Sequence, residues 1–343
     1  MYKNMSTSIA TSVATSPIIL CFDTETTGKP PEGERYFNEK RPGGAKAEDW
    51  PRIIQLAFIL YDTGKMKQLA FYDKLIKLKP GELVPPDSTA VHGITDKDLE
   101  EKGIHIRTAM KTFIHFFEKA DFVVGHNVQF DINVVCAELT LLLRHPETSE
   151  SEKKSIREII QKLLWDKSKR YCTLNNSRKL CNLPKYVYDI NGVVKDETGQ
   201  ELVDYTLDHY GKRKIRNPRL ETAHQVMFHQ KSNGQLHNAL VDVAVCLRIF
   251  LKLHSNVDVC ESEHLSANKF ICDTIHPSDL KPSEVPRRVG EPAIHPDVIQ
   301  EMNAISFRRN SRSTKSSRKS RKVRSLSLRR KSTKNSNKKT RSV

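Results

Sequence analysis

Pro17 to Gly28 reads Pro-Ile-Ile-Leu-Cys-Phe-Asp-Thr-Glu-Thr-Thr-Gly. The apolar run Ile18 to Phe22 leads directly into Asp23 and Glu25, and Gly28 closes the segment. Side chains two apart on a strand share a face. The pattern therefore predicts two carboxylates side by side at the end of a buried strand. At about 4 Å and an effective dielectric of about 20, their repulsion is on the order of 4 kcal/mol. A divalent cation is the usual counter-charge for such a pair. Taken alone, the stretch reads equally well as a capped turn with two solvated acids.

Downstream, Lys29 to Trp50 is a polar insert with Pro30-Pro31 and Gly43-Gly44, which reads as a loop near the site. Arg52 to Tyr61 and Leu69 to Leu78 are strand-like, joined by the turn Asp62-Thr63-Gly64. With the first strand they predict an antiparallel meander. Thr95 with Asp98 marks a helix start, and a second helix is expected over Ile106 to Lys119. Asp121 to Val124 reads as a buried strand that leads through Gly125-His126-Asn127 into a helix over Val128 to Arg144. Asp131 falls in the first turn of that helix. Phe130, Val134, Ala137 and Leu141 share one apolar face, which predicts that Phe130 is core.

Ser151 to Trp165 is a further amphipathic helix, and Tyr171 to Leu174 a short strand. Tyr186 to Leu207 is expected to be a β-hairpin built on Asn191-Gly192. Arg219 to Gln230 and Asn238 to Leu253 are helical by pattern, separated by the turn Ser232-Asn233-Gly234. His237 sits at the mouth of the last helix and Asp242 one turn inside. Strands first, then strands alternating with helices, indicate an α/β domain with a mixed sheet.

Composition bounds the rest. With 343 residues the chain is long enough for one large domain, and its 37% hydrophobic content suggests that part of it does not pack. The net charge of +16 is concentrated at one end: residues 308–343 hold 16 Lys and Arg and no acid, leaving 41 of each sign in residues 1–307. Seven cysteines without a Cys-x-x-Cys pair argue for reduced thiols in an intracellular compartment. Neither a signal core nor a bilayer-length apolar run is present, so a soluble protein without a membrane partner is expected.

Asp-x-Glu at 23–25, Asn-x-x-Phe-Asp at 127–131 and His-x-x-x-x-Asp at 237–242 occur in that order. Together they resemble the DEDDh exonuclease superfamily, which includes polymerase proofreading subunits and stand-alone exonucleases. His-Gly-Ile-Thr at 92–95, and Thr173-Leu174 followed by Arg178-Lys179-Leu180, strengthen the resemblance, which spans roughly Ile18 to Leu253. It implies a ribonuclease-H-like fold and two divalent metal ions, Mg2+ or Mn2+. Asp23, Glu25, Asp131 and Asp242 would be the metal-binding carboxylates, with Asp23 bridging, and His237 the general base. Hard oxygen ligands suit those ions, and an imidazole of ordinary pKa, about 6.5, can accept a proton at neutral pH. Thr26, Thr27 and Gly28 resemble the family's backbone contacts to the terminal nucleotide and Asn127 a further substrate contact, with simple turn and cap roles as the alternative, whereas His92, His115 and His126 read as structural. Cys172 stands where the family often has an Asp, a position outside the four ligands.

The activity so implied is 3′–5′ hydrolysis of DNA to nucleoside monophosphates. An exoribonuclease of the same fold is the alternative, and a silent nucleic-acid-binding protein is the alternative of another class. Residues 1–16 read as a flexible N-terminus, 17–255 as the exonuclease domain and 256–307 as an extension or connector. Within that extension Cys260, His264, Cys272 and His276 offer four N and S ligands for a zinc ion, set against an ordinary packed segment. Residues 308–343 are expected to be a disordered basic tail. Nucleic-acid binding, a nuclear address and phosphorylation at Ser317, Ser320, Ser325 and Ser332 are its functional readings. Protein partners are left open by the sequence, and a proofreading role would require a partner chain.

Overall fold

The computed structural model describes residues 16–277, apart from 190, 213 and 233. Its frame is a five-stranded mixed sheet of order β3-β2-β1-β4-β5. The antiparallel meander is formed by β1 (Ile18–Thr26), β2 (Ile53–Asp62) and β3 (Lys67–Leu75). Parallel to β1 run the short strands β4 (Phe122–Gly125) and β5 (Arg170–Cys172). This is the ribonuclease-H-like arrangement expected from sequence.

β1 and β2 are apolar almost without alternation because helices cover both faces of the sheet. On one face Phe22 and Phe58 pack against Phe113 and Phe116 of α3 (Ile106–Phe117), with centroid separations of 5.2 Å for Phe22–Phe113 and 5.1 Å for Phe58–Phe116. On the other, Ile19, Cys21, Ile59 and Tyr61 join a cluster with Val243, Leu247 and Phe250 of α8 (Ala239–Ser255). Odd-numbered residues of β1 thus face α8, and this parity carries Asp23 and Glu25 to the α8 side.

Before α3 come α1 (Pro86–His92) and α2 (Asp96–Lys102), the latter opened by a reciprocal Thr95–Asp98 capping box. α4 (Gln129–Arg144) follows β4, and α5 (Glu150–Trp165) packs on α4. After β5 come α6 (Thr173–Cys181), an arm, and α7 (Leu220–Phe228). α9 (Ser262–Ile275) packs against α8 and β3. No helix among the described residues is long and apolar enough to cross a membrane.

Several expectations are corrected. Tyr186 to Leu207 is not one hairpin. Two small antiparallel pairs share it, β7 (Tyr188–Asp189) with β8 (Gly192–Val193), and β6 (Lys185–Tyr186) with β9 (Val203–Asp204). Phe130 is only half-buried, because it lies on the flank of α4 next to the exposed Asn127 corner rather than under the sheet. Within the described part of the extension, residues 256–277, lies α9, and Cys260 is disulfide-bonded to Cys272, 5.6 Å apart at Cα, so not all thiols are reduced. That pairing also removes the zinc arrangement: His264 faces Glu263 at 3.1 Å and His276 meets Arg248 at 3.1 Å. The four side chains do not converge on one point. The expectations for residues 1–15, for Asn233, and for the basic tail lie outside the described residues.

Candidate active site

The carboxyl end of β1 is where the sheet stops and the site begins. Register with β2 shifts between Glu25 and Thr26, a bulge that bends the strand end. Beyond it the turn closes on itself. Thr26 Oγ1 donates to the Gly28 carbonyl at 2.8 Å, and the Thr27 hydroxyl accepts the Arg52 N–H at 2.9 Å. Ser88 Oγ donates to the Thr27 carbonyl at 3.0 Å. Both threonine hydroxyls are thus engaged within the protein.

Asp131 enters from α4. Its Oδ1 accepts the Thr24 N–H at 3.1 Å and the Thr24 hydroxyl at 2.8 Å, which ties the helix start to the centre of the β1 end. The chain reaches α4 through Asn127, exposed and held at φ 66°, in the left-handed region a non-glycine residue rarely occupies. His126 braces this corner: its Nδ1 meets Thr173 Oγ1 at 3.0 Å and its Nε2 the Pro218 carbonyl at 3.1 Å. Burial pushes His126 down to about 4, so it is a neutral structural residue. His92 is likewise buried, its Nδ1 accepting the Ile94 N–H at 3.0 Å.

Asp242 and His237 come from the start of α8. Asn238 caps the helix, its Oδ1 accepting the Leu240 N–H at 3.2 Å. Immediately before it His237 is exposed and left-handed, at φ 64°. A ligand-capable atom from each of Glu25, His237 and Asp242 lies within 4.8 Å of the others. One positioning residue escaped the sequence reading. Gln55 sits opposite Glu25 on β2, accepts the Ala239 N–H at 3.3 Å and donates to Asp73 at 2.7 Å. It fastens the first residue of α8 to the sheet. The signal was there, since Gln55 is the only amide in the otherwise apolar run Ile53 to Tyr61.

The electrostatics of the cluster are unfavourable for four bare anions. Burial, then the charges of Asp131, Asp242 and Glu25, holds the Asp23 carboxyl well above the usual range. Burial, with Asp242 and Asp131 nearby, pushes Glu25 up to about 8. Asp131 and Asp242 are each raised to about 7, chiefly by burial, although Thr24 and the His237 backbone respectively pull them back. One oxygen, Asp242 Oδ1, is buried with no hydrogen-bond partner. A buried, unpartnered carboxylate oxygen beside three more acids suits a divalent cation as counter-charge. The donor set is oxygen-rich, as Mg2+ and Mn2+ require.

A family model described as "Exonuclease" (RNase_T) matches residues 20–189. Among curated relatives, the DNA polymerase III subunit epsilon of Escherichia coli is 32% identical over 131 residues, 38% of this chain and 47% of that protein. The subunit of the same name from Buchnera aphidicola is 27% identical over 126 residues, 37% of this chain and 47% of its own length. The chain thus spans about half the length of the relatives it matches. Among solved structures, E. coli Exonuclease I in complex with a dA16 oligonucleotide is similar at 18% identity and a TM-score of 0.42, covering 68% of this chain and 40% of that one.

Proposed function

We propose that this protein, which matches the exonuclease family model over residues 20–189 and resembles the DEDDh type with its ribonuclease-H-like fold, hydrolyses DNA from the 3′ end to nucleoside monophosphates. The observation that carries the proposal is the group of Glu25, His237 and Asp242 within 4.8 Å of one another, with Asp23 and Asp131 near enough to raise the carboxyl pKa values of the cluster. The unpartnered Asp242 oxygen and exposed His237 stand beside it. The names of the curated relatives, all DNA polymerase subunits, favour DNA over RNA.

In this reading Asp23, Glu25, Asp131 and Asp242 would hold two divalent metal ions, Mg2+ or Mn2+. Such ions stabilise charge on the attacking and leaving oxygens of phosphodiester hydrolysis. The remaining work belongs to the chain. Asp23, whose carboxyl is raised by burial and by the charges of Asp131, Asp242 and Glu25, would take the bridging role that the family resemblance implies. Thr24 holds Asp131 in one orientation, and Gln55 holds the α8 start that carries Asp242. His237 accepts the proton of the attacking water. Its place on the left-handed residue before the helix cap, outside both β1 and α8, lets the ring approach without disturbing the acids. Thr26, Thr27 and Asn127 would present backbone and amide groups to the terminal nucleotide.

Chromatography of the products tests the proposal. Mg2+-dependent release of nucleoside 5′-monophosphates that stops with EDTA is expected. Release of internal oligonucleotides would refute an exonuclease. In a mixture of matched DNA and RNA strands, the DNA should be consumed first; the reverse order would make the protein an exoribonuclease.

A further inference from the structure

The arm between α6 and α7 is absent from the chemistry above, yet it joins the site at its root. The two stems, residues 172–188 and 209–220, contain eight Lys and Arg and no Asp or Glu. The structure clips them together. Arg216 N–H donates to the Leu183 carbonyl at 3.0 Å, and Arg178 Nη2 donates to the Ile215 carbonyl at 2.7 Å. Arg216 also lies over the Tyr186 ring, 4.2 Å from its centroid, and donates to its hydroxyl at 2.8 Å. The Tyr188 ring stands edge-on to Tyr186 at 6.5 Å. Three tyrosine rings of the arm are left open to solvent, Tyr188 at 58% and Tyr210 at 74% exposure on the stems and Tyr205 at 65% between them.

Residues 189–208 between the stems hold six acids and one Lys, so residues 172–220 carry nine basic and six acidic side chains, and the positive charge is concentrated on the stems. Asp189 and Asp196 are spent capping their own turns, accepting the Asn191 N–H at 2.7 Å and the Thr198 N–H at 2.9 Å. Asp204 and Asp208 likewise accept the Thr206 N–H at 2.8 Å and the Tyr210 N–H at 2.9 Å, and Asp204 also lies beside Lys185 and Lys214.

Position completes the case. β1, β4 and β5 are parallel, so their carboxyl ends, at Thr26, Gly125 and Cys172, lie along one edge of the sheet, the edge where ligands of open α/β sheets bind. The arm departs from the residues following β5 and returns at Pro218, whose carbonyl is held by His126. One residue later comes Asn127, and Asp131 opens the first turn of α4.

We propose that the arm is a binding platform for the single-stranded part of the substrate 5′ of the nucleotide being removed. Its basic stems take the phosphates, and Tyr188 and Tyr210 stack on bases. This rests on the exonuclease reading only for the identity of the occupant. Stacking on aromatic side chains is tolerant of sequence and is supported by a basic groove, and both features are built here within one clipped pair of stems.

The test uses the full chain and a 5′-fluorescent single-stranded dT20, with binding followed by anisotropy in EDTA. Hydrolysis of the 4-nitrophenyl ester of thymidine 5′-monophosphate is followed in Mg2+. That ester is too small to reach the arm. Replacing Tyr188 and Tyr210 with Ala should weaken oligonucleotide binding at least about fivefold and leave ester hydrolysis unchanged. Lys179→Gln with Lys185→Gln should flatten the log–log salt slope by about 1.4. Equal affinity of wild type and Tyr variant overturns the platform, as does a parallel loss of ester hydrolysis. A wild type with arm-dependent binding that hydrolyses neither substrate would remove the exonuclease reading and leave the platform standing.

Discussion

Asp242 shows at residue scale what the cluster trades between stability and chemistry. Its carboxyl is raised to about 7 by burial and keeps one oxygen without a partner. Glu25, at about 8, and Asp23 are pushed the same way. A carboxyl whose folded pKa lies above its unfolded value stabilises the fold below the unfolded value, and that contribution is lost as pH rises through the folded one. The metal-free protein should therefore melt at progressively lower temperature from about pH 4 to pH 8, and added Mg2+ or Mn2+ should flatten the decline. A melting temperature independent of pH and metal would argue against a buried anionic cluster. Asp242→Asn should raise the metal-free melting temperature at pH 8, each kcal/mol relieved being worth roughly 2–4 °C in a domain of this size. The same variant should lose activity by about a thousandfold, because charge stabilisation of several kcal/mol converts at 1.36 kcal/mol per decade. Calorimetry and a cleavage assay on one preparation measure both.

At the scale of elements, legibility followed periodicity. β1, β2, α3, α4 and α8 carry long apolar patterns, and each lies within a few residues of its expected place. The motif residues at their ends were legible for the same reason: Asp23 and Glu25 close β1, Asp131 opens α4, and Asp242 opens α8. Elements without a strong apolar period were missed. α1 has seven residues and begins at a proline, although Pro86 at its first turn and Gly93 at φ 72° just past its end are helix boundary signals. α6 is polar on most of its surface. α9 hides its packing in contacts to α8 and β3 that no local pattern reveals.

Behind α8, Arg248 is buried and holds Asp258 through two bonds of 2.7 Å, while Nη1 meets His224 and His276 at 3.1 Å. It thereby joins α7, α8 and the end of α9. Arg248→Met should cost about 3–5 kcal/mol by leaving Asp258 uncompensated, and adding Asp258→Leu should recover part of that loss. Urea titration of the two variants would show it; an Arg248→Met protein as stable as wild type would mean that the cluster is solvated.

Across the whole molecule, charge divides the chain. Residues 1–307 are neutral overall and contain the folded sheet, whereas residues 308–343 carry 16 positive charges. If the tail grips duplex DNA through about eight phosphates, the log–log salt slope of binding is roughly −7. Deleting 308–343 should flatten that slope while metal-dependent cleavage persists; an unchanged slope would show that the tail is not the tether. The chain spans about half the length of the curated relatives it matches, and the exonuclease family model matches residues 20–189, a stretch that begins in β1. The most direct measurement is therefore made on that strand's end. A 5′-labelled single-stranded DNA oligonucleotide is incubated in Mg2+ with the wild type, with Asp23→Asn and with Asp242→Asn, and the lengths of the labelled products are followed in time. A ladder shortening stepwise from the 3′ end with the wild type, and an intact strand with both folded variants, is the predicted result. Undiminished shortening with either variant would contradict the assignment of the site.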